Sequence, residues 1–289
     1  MDEIEIRNMT EADVESGWAM CRDAGWNQLP ADWRFLRSGN PDGCFVAYGG
    51  EGIIGTVTTW NYDNKSSWIA MMLVAESHRR RGIATRLMQA ARDSLAECDC
   101  VRLDATPVGR EVYLRLGFRD EFPLSRMTAD EGLREGMLQC DTAGAQCAPV
   151  SCSVDLSDII ALDALAFGVM RPKIMEYWLQ NAPEYARILK SDGKTVGFCL
   201  GRHGRRFEHI GPIIAPDANS AAAMFLSLQK SLRAKPVVMD IPKRCADWRR
   251  MLESFGFREQ RPLIRMILRN NRNPGEDGIT FAISGPELG

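Results

Sequence analysis

Histidine is scarce in this chain, with three residues among 289, and its nine cysteines contain no Cys-x-x-Cys pair. Zinc sites draw on spaced sets of Cys and His, so little material exists for one and no metal is expected. An excess of positive charge is also missing. The 36 Lys and Arg are set against 38 Asp and Glu, for a net charge of −2, which argues against nucleic acid or an anionic membrane as a partner held by bulk charge. No apolar run approaches the ~20 residues that cross a bilayer. The opening Met1-Asp2-Glu3-Ile4 is acidic and lacks the basic-then-apolar order of a signal peptide. Scattered cysteines without a framework read as reduced thiols, and a cytoplasmic location is expected.

What the chain does have is length enough for two domains and a repeat that fills it. Residues 117–127, Gly-Phe-Arg-Asp-Glu-Phe-Pro-Leu-Ser-Arg-Met, recur at 256–266 as Gly-Phe-Arg-Glu-Gln-Arg-Pro-Leu-Ile-Arg-Met, identical at seven of eleven positions without a gap. Trp33 answers Trp178, Gly55 answers Gly197, and Asp104 answers Asp240. Strand-like runs over 3–9, 44–48 and 53–60 and helical spacing from Val14 to Cys21 open the first copy. In the second copy 152–154 reads as a strand, Ser157 as the cap of a helix holding Ile160 and Leu165, 221–232 as a helix and 279–284 as a closing strand. The boundary is expected at 128–149, with a short helix over 130–138.

The stretch His78-Arg79-Arg80-Arg81-Gly82-Ile83-Ala84 follows an apolar run, 68–74, that reads as a buried strand. It opens a helical pattern with Ile83, Leu87, Ala91 and Leu95 on one face. A basic turn between a strand and a helix N-terminus aims backbone N–H groups and the positive helix end at one spot, which suits a pyrophosphate. The second copy has Pro216-Asp217-Ala218-Asn219-Ser220-Ala221 there, without arginine or glycine, and Asp217 would repel a phosphate. It also has Leu252 where the first copy has Tyr113. One anion site per chain is expected, in the N-terminal half.

The pattern Arg79-x-x-Gly82-x-Ala84, followed at the expected distance by Tyr113-x-x-x-Gly117-Phe118, resembles the GNAT (Gcn5-related) N-acetyltransferase superfamily. The resemblance implies an α/β fold class with a mixed α+β sheet. It implies two tandem GNAT folds, each a mixed, mostly antiparallel sheet flanked by helices. It places a catalytic domain at 1–128, a linker at 129–148, and at 149–289 a degenerate GNAT-like domain without the cofactor loop. It further implies acetyl-CoA as co-substrate, held by Arg79, Arg80, Arg81, Gly82, Ile83 and Ala84. Leu73 and Val74 would supply a backbone N–H to the carbonyl oxygen, and Thr106 stands where relatives have an asparagine touching the cofactor. Tyr113 takes the position of the family's acid toward the leaving thiolate, its bland alternative being a helix tyrosine packed on the sheet. Glu76 is a candidate base toward the amine, its alternative being a helix-end partner of Arg79 or Arg80.

Two functions remain open at this point. One is an acetyl-CoA-dependent N-acetyltransferase acting on a primary amine, probed as a small-molecule substrate, in a monomer or homodimer. The other is a non-catalytic acyl-CoA-binding sensor or assembly module. The intact arginine loop together with Tyr113 favours the enzyme.

Overall fold

The computed structural model describes residues 4–50, 52–132, 144–151 and 153–289. One order of elements runs through the chain twice. The first pass is β1 (Glu5–Asn8), α1 (Val14–Asp23), α2 (Pro30–Gly39), β2 (Phe45–Gly49), β3 (Gly52–Tyr62), β4 (Ser66–Val74), α3 (Ile83–Ser94), β5 (Cys100–Ala105), α4 (Pro107–Arg115) and β6 (Arg119–Ala129). The second is β7 (Gln146–Pro149), α5 (Ser153–Phe167), α6 (Pro172–Asn181), β8 (Arg187–Ser191), β9 (Lys194–Arg202), β10 (Glu208–Ile214), α7 (Ala218–Leu226), β11 (Val237–Pro242), α8 (Ala246–Ser254) and β12 (Arg258–Arg269). A further short strand, β13 (Thr280–Ala282), follows the second pass.

Two compact units form, but they are not cut at 129–148. One comprises 1–120 with Met266–Arg272 and Leu288, the other 121–265 with 273–287 and Gly289. The reason lies in the repeated segment itself. It makes up most of β6 and β12, and two strands so alike in sequence fit the same slot. Accordingly β6 belongs to the second unit, where it pairs antiparallel with β11 (Met239↔Met127, Asp240↔Arg126), and the end of β12 belongs to the first. The expected linker also shrinks. β6 runs to Ala129 and β7 begins at Gln146, while 133–143, and with them most of the helix expected over 130–138, lie outside the described residues.

In the first unit β1 to β4 form an antiparallel ladder and β4 lies parallel to β5. Side chains alternate across a strand, and β3 uses both faces. Gly55 admits Leu87 and Ile83 of α3, a Cβ there standing 2.9 Å from Leu87. On the opposite face Trp60 lies against Gly39 of α2, and Trp33 of α2, fully buried, lies against Gly17 of α1. Helices thus cover both faces, and three large tryptophans, Trp33, Trp60 and Trp68, are buried in the core.

The second unit repeats this plan with an antiparallel ladder from β7 to β10 and a parallel step from β10 to β11. Its core packs Phe225, Trp248, Phe255 and Phe257 with Met127, Met239 and Ile241. Three local expectations are corrected here. α5 starts at Ser153, so Val154 is helical and Ser157 lies inside the helix, its hydroxyl donating to the Ser153 carbonyl at 3.2 Å. Residue 152, the other end of that expected strand, lies outside the described residues. α7 starts at Ala218, not 221, because Asp217 caps it.

Candidate active site

The site begins with a defect in a ladder. Along β3 and β4, Thr58 faces Ala70 and Thr56 faces Leu73, so Met71 and Met72 together oppose Val57 alone. That is a β-bulge, which bends its strand and turns it away from its neighbour. Met71 carries it in the left-handed region, at φ 50°. Beyond it, β4 and β5 part company. Trp68↔Arg102, ahead of the bulge, is the register pair between these parallel strands among the described residues. Leu73 and Val74 therefore stand half-buried on the side of β4 that opens toward β5.

Two parallel neighbours end at the same edge of a sheet, so the loop after β4 and the helix after β5 emerge together. After Val74 the chain makes a tight turn at Glu76–His78, then passes through Arg80 at φ 64° and Gly82 at φ 75° into α3. Gly82 is the N-cap residue of α3 and brings no side chain to the helix end. The N–H groups of Ile83, Ala84 and Thr85 are first-turn donors without an intrahelical acceptor. The space above Gly82 is open, with none of the described residues within 4 Å of where a Cβ would stand. Arg79, Arg80 and Arg81 surround this helix start and are exposed. The Arg79 Nε donates to the Val74 carbonyl at 3.4 Å.

On the other side of the opening, Thr106 caps α4, its Oγ1 accepting from the Gly109 N–H at 3.2 Å. A hydroxyl retains its own O–H for a further partner, so capping leaves Thr106 able to donate. A side chain at Gly109 would stand 3.1 Å from the Tyr113 ring and 3.3 Å from Thr106 Oγ1. Glycine at 109 thus lets the tyrosine ring lie back toward the cap. The ring also packs on Phe118, centroids 6.1 Å apart. Its edge keeps some exposure, yet burial pushes the phenol up to about 12. At neutral pH this is a group that holds its proton and donates.

Glu76 stands apart from this. Its side chain is 89% exposed and pairs with Arg79 at 3.4 Å. It sits on the same loop as the arginines.

The second unit supplies the contrast. Its bulge recurs, with Ile210 and Ile213 of β10 facing Gly201 and Cys199 of β9. The opening that follows is filled by the chain itself. β13 pairs with β10 at Ile213↔Ala282, Ile279 accepts from the Ala215 N–H, and the Ile283 N–H donates to the Asp240 carbonyl on β11. The helix start is filled too, because the Asp217 carboxylate accepts from the Ser220 N–H at 2.7 Å. An N-terminus carrying its own carboxylate has no place for a second anion.

The structure brings the arginine loop with Gly82 and the Thr106 cap with Tyr113 to the same sheet edge, where the sequence expects a site. Sequence reasoning missed Met71 and Thr56, whose hydroxyl donates to the Met71 carbonyl at 2.8 Å in a buried setting. A bulge is a property of register between two strands and leaves no mark in either alone. It also missed that Asp217 is a cap, although Asp followed three residues later by a small polar residue is a readable start signal. Among the described residues no group of three or more His, Cys, Asp or Glu is arranged to hold a metal ion, and no helix is long and apolar enough to cross a membrane.

Comparison with known proteins gives matches over both halves. A family model described as "Acetyltransferase (GNAT) family" matches residues 6–118, and one described as "Acetyltransferase (GNAT) domain" matches 159–282. The chain is similar to an uncharacterized N-acetyltransferase, YitH, of Bacillus subtilis, 23% identical over 99% of this chain and 98% of the relative. Its fold matches the crystal structure of a putative acetyltransferase from Pyrococcus horikoshii with a TM-score of 0.79, at 23% identity over 99% and 96% of the two chains. It also matches a tandem GNAT protein from the clavulanic acid biosynthesis pathway with a TM-score of 0.62, at 13% identity over 92% and 98%.

Proposed function

The chain belongs to the GNAT N-acetyltransferase superfamily as a tandem member, and on that premise we propose that its first copy moves an acetyl group from acetyl-CoA to the primary amine of a small molecule. The observation that carries this is the difference between the two helix starts. α3 begins on Gly82 with bare N–H groups among three arginines, whereas α7 begins on a carboxylate that already accepts one of them. A pyrophosphate fits the first and is repelled by the second.

Acetyl-CoA supplies a thioester whose carbonyl an amine attacks, the C–N bond forming as the C–S bond breaks. The backbone of Arg79 to Ala84 would hold its pyrophosphate, and the arginine side chains would add charge. Leu73 and Val74 lie on the bent end of β4, where an outward N–H can meet the carbonyl oxygen as it gains charge. Tyr113 keeps its proton at neutral pH and is suited to give it, or a hydrogen bond, to the departing sulfur. The proton lost by the amine must leave by another route. Glu76, exposed and paired with Arg79, has the geometry of a loop partner, and solvent is assigned the base role in its place. Tyr113 distinguishes this reading from a sensor that binds acyl-CoA without turnover, since binding alone has no use for a proton donor.

The test is a screen of primary amines with purified protein and acetyl-CoA, reading free thiol. Thiol released in step with acetylated amine supports the proposal. Binding of acetyl-CoA without thiol release from any amine supports the sensor.

A further inference from the structure

The bulge in β4 needs a reason to persist. A methionine in the left-handed region is disfavoured by roughly 1 kcal/mol or more relative to an extended one. Met71 is nonetheless held there inside the core, 3% exposed, at φ 50°. The group that meets it is Thr56, fully buried, whose Oγ1 donates to the Met71 carbonyl at 2.8 Å. A net hydrogen bond contributes about 0.5–1.5 kcal/mol, the same size as the strain.

The chain carries its own comparison. In the second unit the same bulge is built on Gly211 at φ 154°, where a glycine is free to go. The residue there that faces Ile213, as Thr56 faces Leu73, is Cys199, and its thiol points to the Leu200 carbonyl at 3.7 Å, not to the bulge. So the copy whose opening is filled by β13 uses a glycine and no hydroxyl. The copy whose opening remains uses a strained methionine and a threonine.

We infer that Thr56 is a positioning residue. Its hydroxyl fixes the turn at Met71 and so the direction of Met72, Leu73 and Val74, the stretch that borders the opening between β4 and β5. This rests on the acyl-transfer reading above for its kinetic consequence, but not for the turn itself. Thr58 is the built-in control. It is two residues along the same strand, 1% exposed, and among the described residues its hydroxyl has no hydrogen-bond partner.

The experiment compares Thr56→Val, Thr56→Ser, Thr58→Val and the double change Thr56→Val with Met71→Gly. Thr56→Val should lower kcat about two- to tenfold, the range that one lost hydrogen bond of this size corresponds to. KM for acetyl-CoA should stay within about threefold, because the pyrophosphate loop is a separate element. Thr56→Ser keeps the donor and should retain the wild-type rate. Met71→Gly should restore most of the rate in the Thr56→Val background, since glycine adopts the turn unaided. Equal loss in Thr58→Val, a rise in KM alone, or failure of Met71→Gly to rescue overturns the inference. Amide hydrogen exchange at 72–74 is read alongside and needs no turnover. Faster exchange there in Thr56→Val than in Thr58→Val upholds the latch even if no amine is acetylated, and equal exchange removes it.

Discussion

Tyr113 is the residue on which the proposed chemistry turns, and its surroundings suit a phenol to that role. A carboxylic acid would have lost its proton at neutral pH and an exposed histidine would be mostly neutral, whereas burial pushes this phenol up to about 12. Tyr113→Phe should therefore leave acetyl-CoA affinity nearly unchanged and reduce turnover ten- to a thousand-fold, roughly the range of a lost proton donor. The pH profile should rise as the amine substrate loses its proton and hold to about pH 10. A fall with a midpoint near 9 in wild type that is absent from the phenylalanine variant would contradict the assignment. A second buried residue has a different consequence. Burial, and then the Arg202 guanidinium, bring His209 down to about 4 from 6.5. Below pH 6.5 the unfolded chain binds a proton that the native one refuses. Its contribution to stability is therefore present above 6.5 and is lost as pH falls toward 4. Denaturant unfolding of His209→Gln should lose less stability than wild type across that window, by up to about 1.4 kcal/mol per pH unit. Parallel pH dependences in the two proteins would mean that His209 is solvated.

Among the elements, the two helix starts are what the proposed function rests on. Gly82 is at φ 75° with open space around it, so a side chain there meets backbone strain before any clash. Gly82→Val should weaken acetyl-CoA binding by tenfold or more, on the order of the strain placed on the loop, as read by calorimetry on a protein that melts cooperatively. Asp217→Ala should instead leave acetyl-CoA binding unchanged and lower stability by about 1 kcal/mol, the usual effect of a lost cap. Binding at a second site in that variant would show that β13 does not fill the opening. These elements also show what a sequence exposes. The arginine loop was legible because charge, glycine and helical spacing are local. Asp217 was read only as a charge that a phosphate avoids, when its local role is to start a helix. Ser157 was taken as a cap because a periodic run follows it, but the run extends back to Ser153. The Met71 bulge was invisible, since two residues facing one is a fact about β3 and β4 together.

At the scale of the whole molecule, the repeat was plain in the sequence but its consequence was not. β6 and the first eleven residues of β12 share five residues, and the second unit takes most of β6 while the first takes the end of β12. A division of the chain at 148 is therefore expected not to yield a folded half. A fragment of 149–289 lacks β6, which pairs with β11 along Val237–Pro242, and contributes Met127 to the core around Trp248. Such a fragment should be insoluble or unfold without cooperativity, and supplying 117–132 in the same chain should improve it. A soluble, cooperatively folding 149–289 would show that β6 is dispensable. The central claim concerns the intact protein, with one acyl-CoA site per chain, on the loop of the first copy. Titration calorimetry of full-length protein with acetyl-CoA tests it most directly. One site per chain is expected, abolished or strongly weakened by Gly82→Val and indifferent to Asp217→Ala. Two sites per chain, or undiminished binding in Gly82→Val, would contradict it.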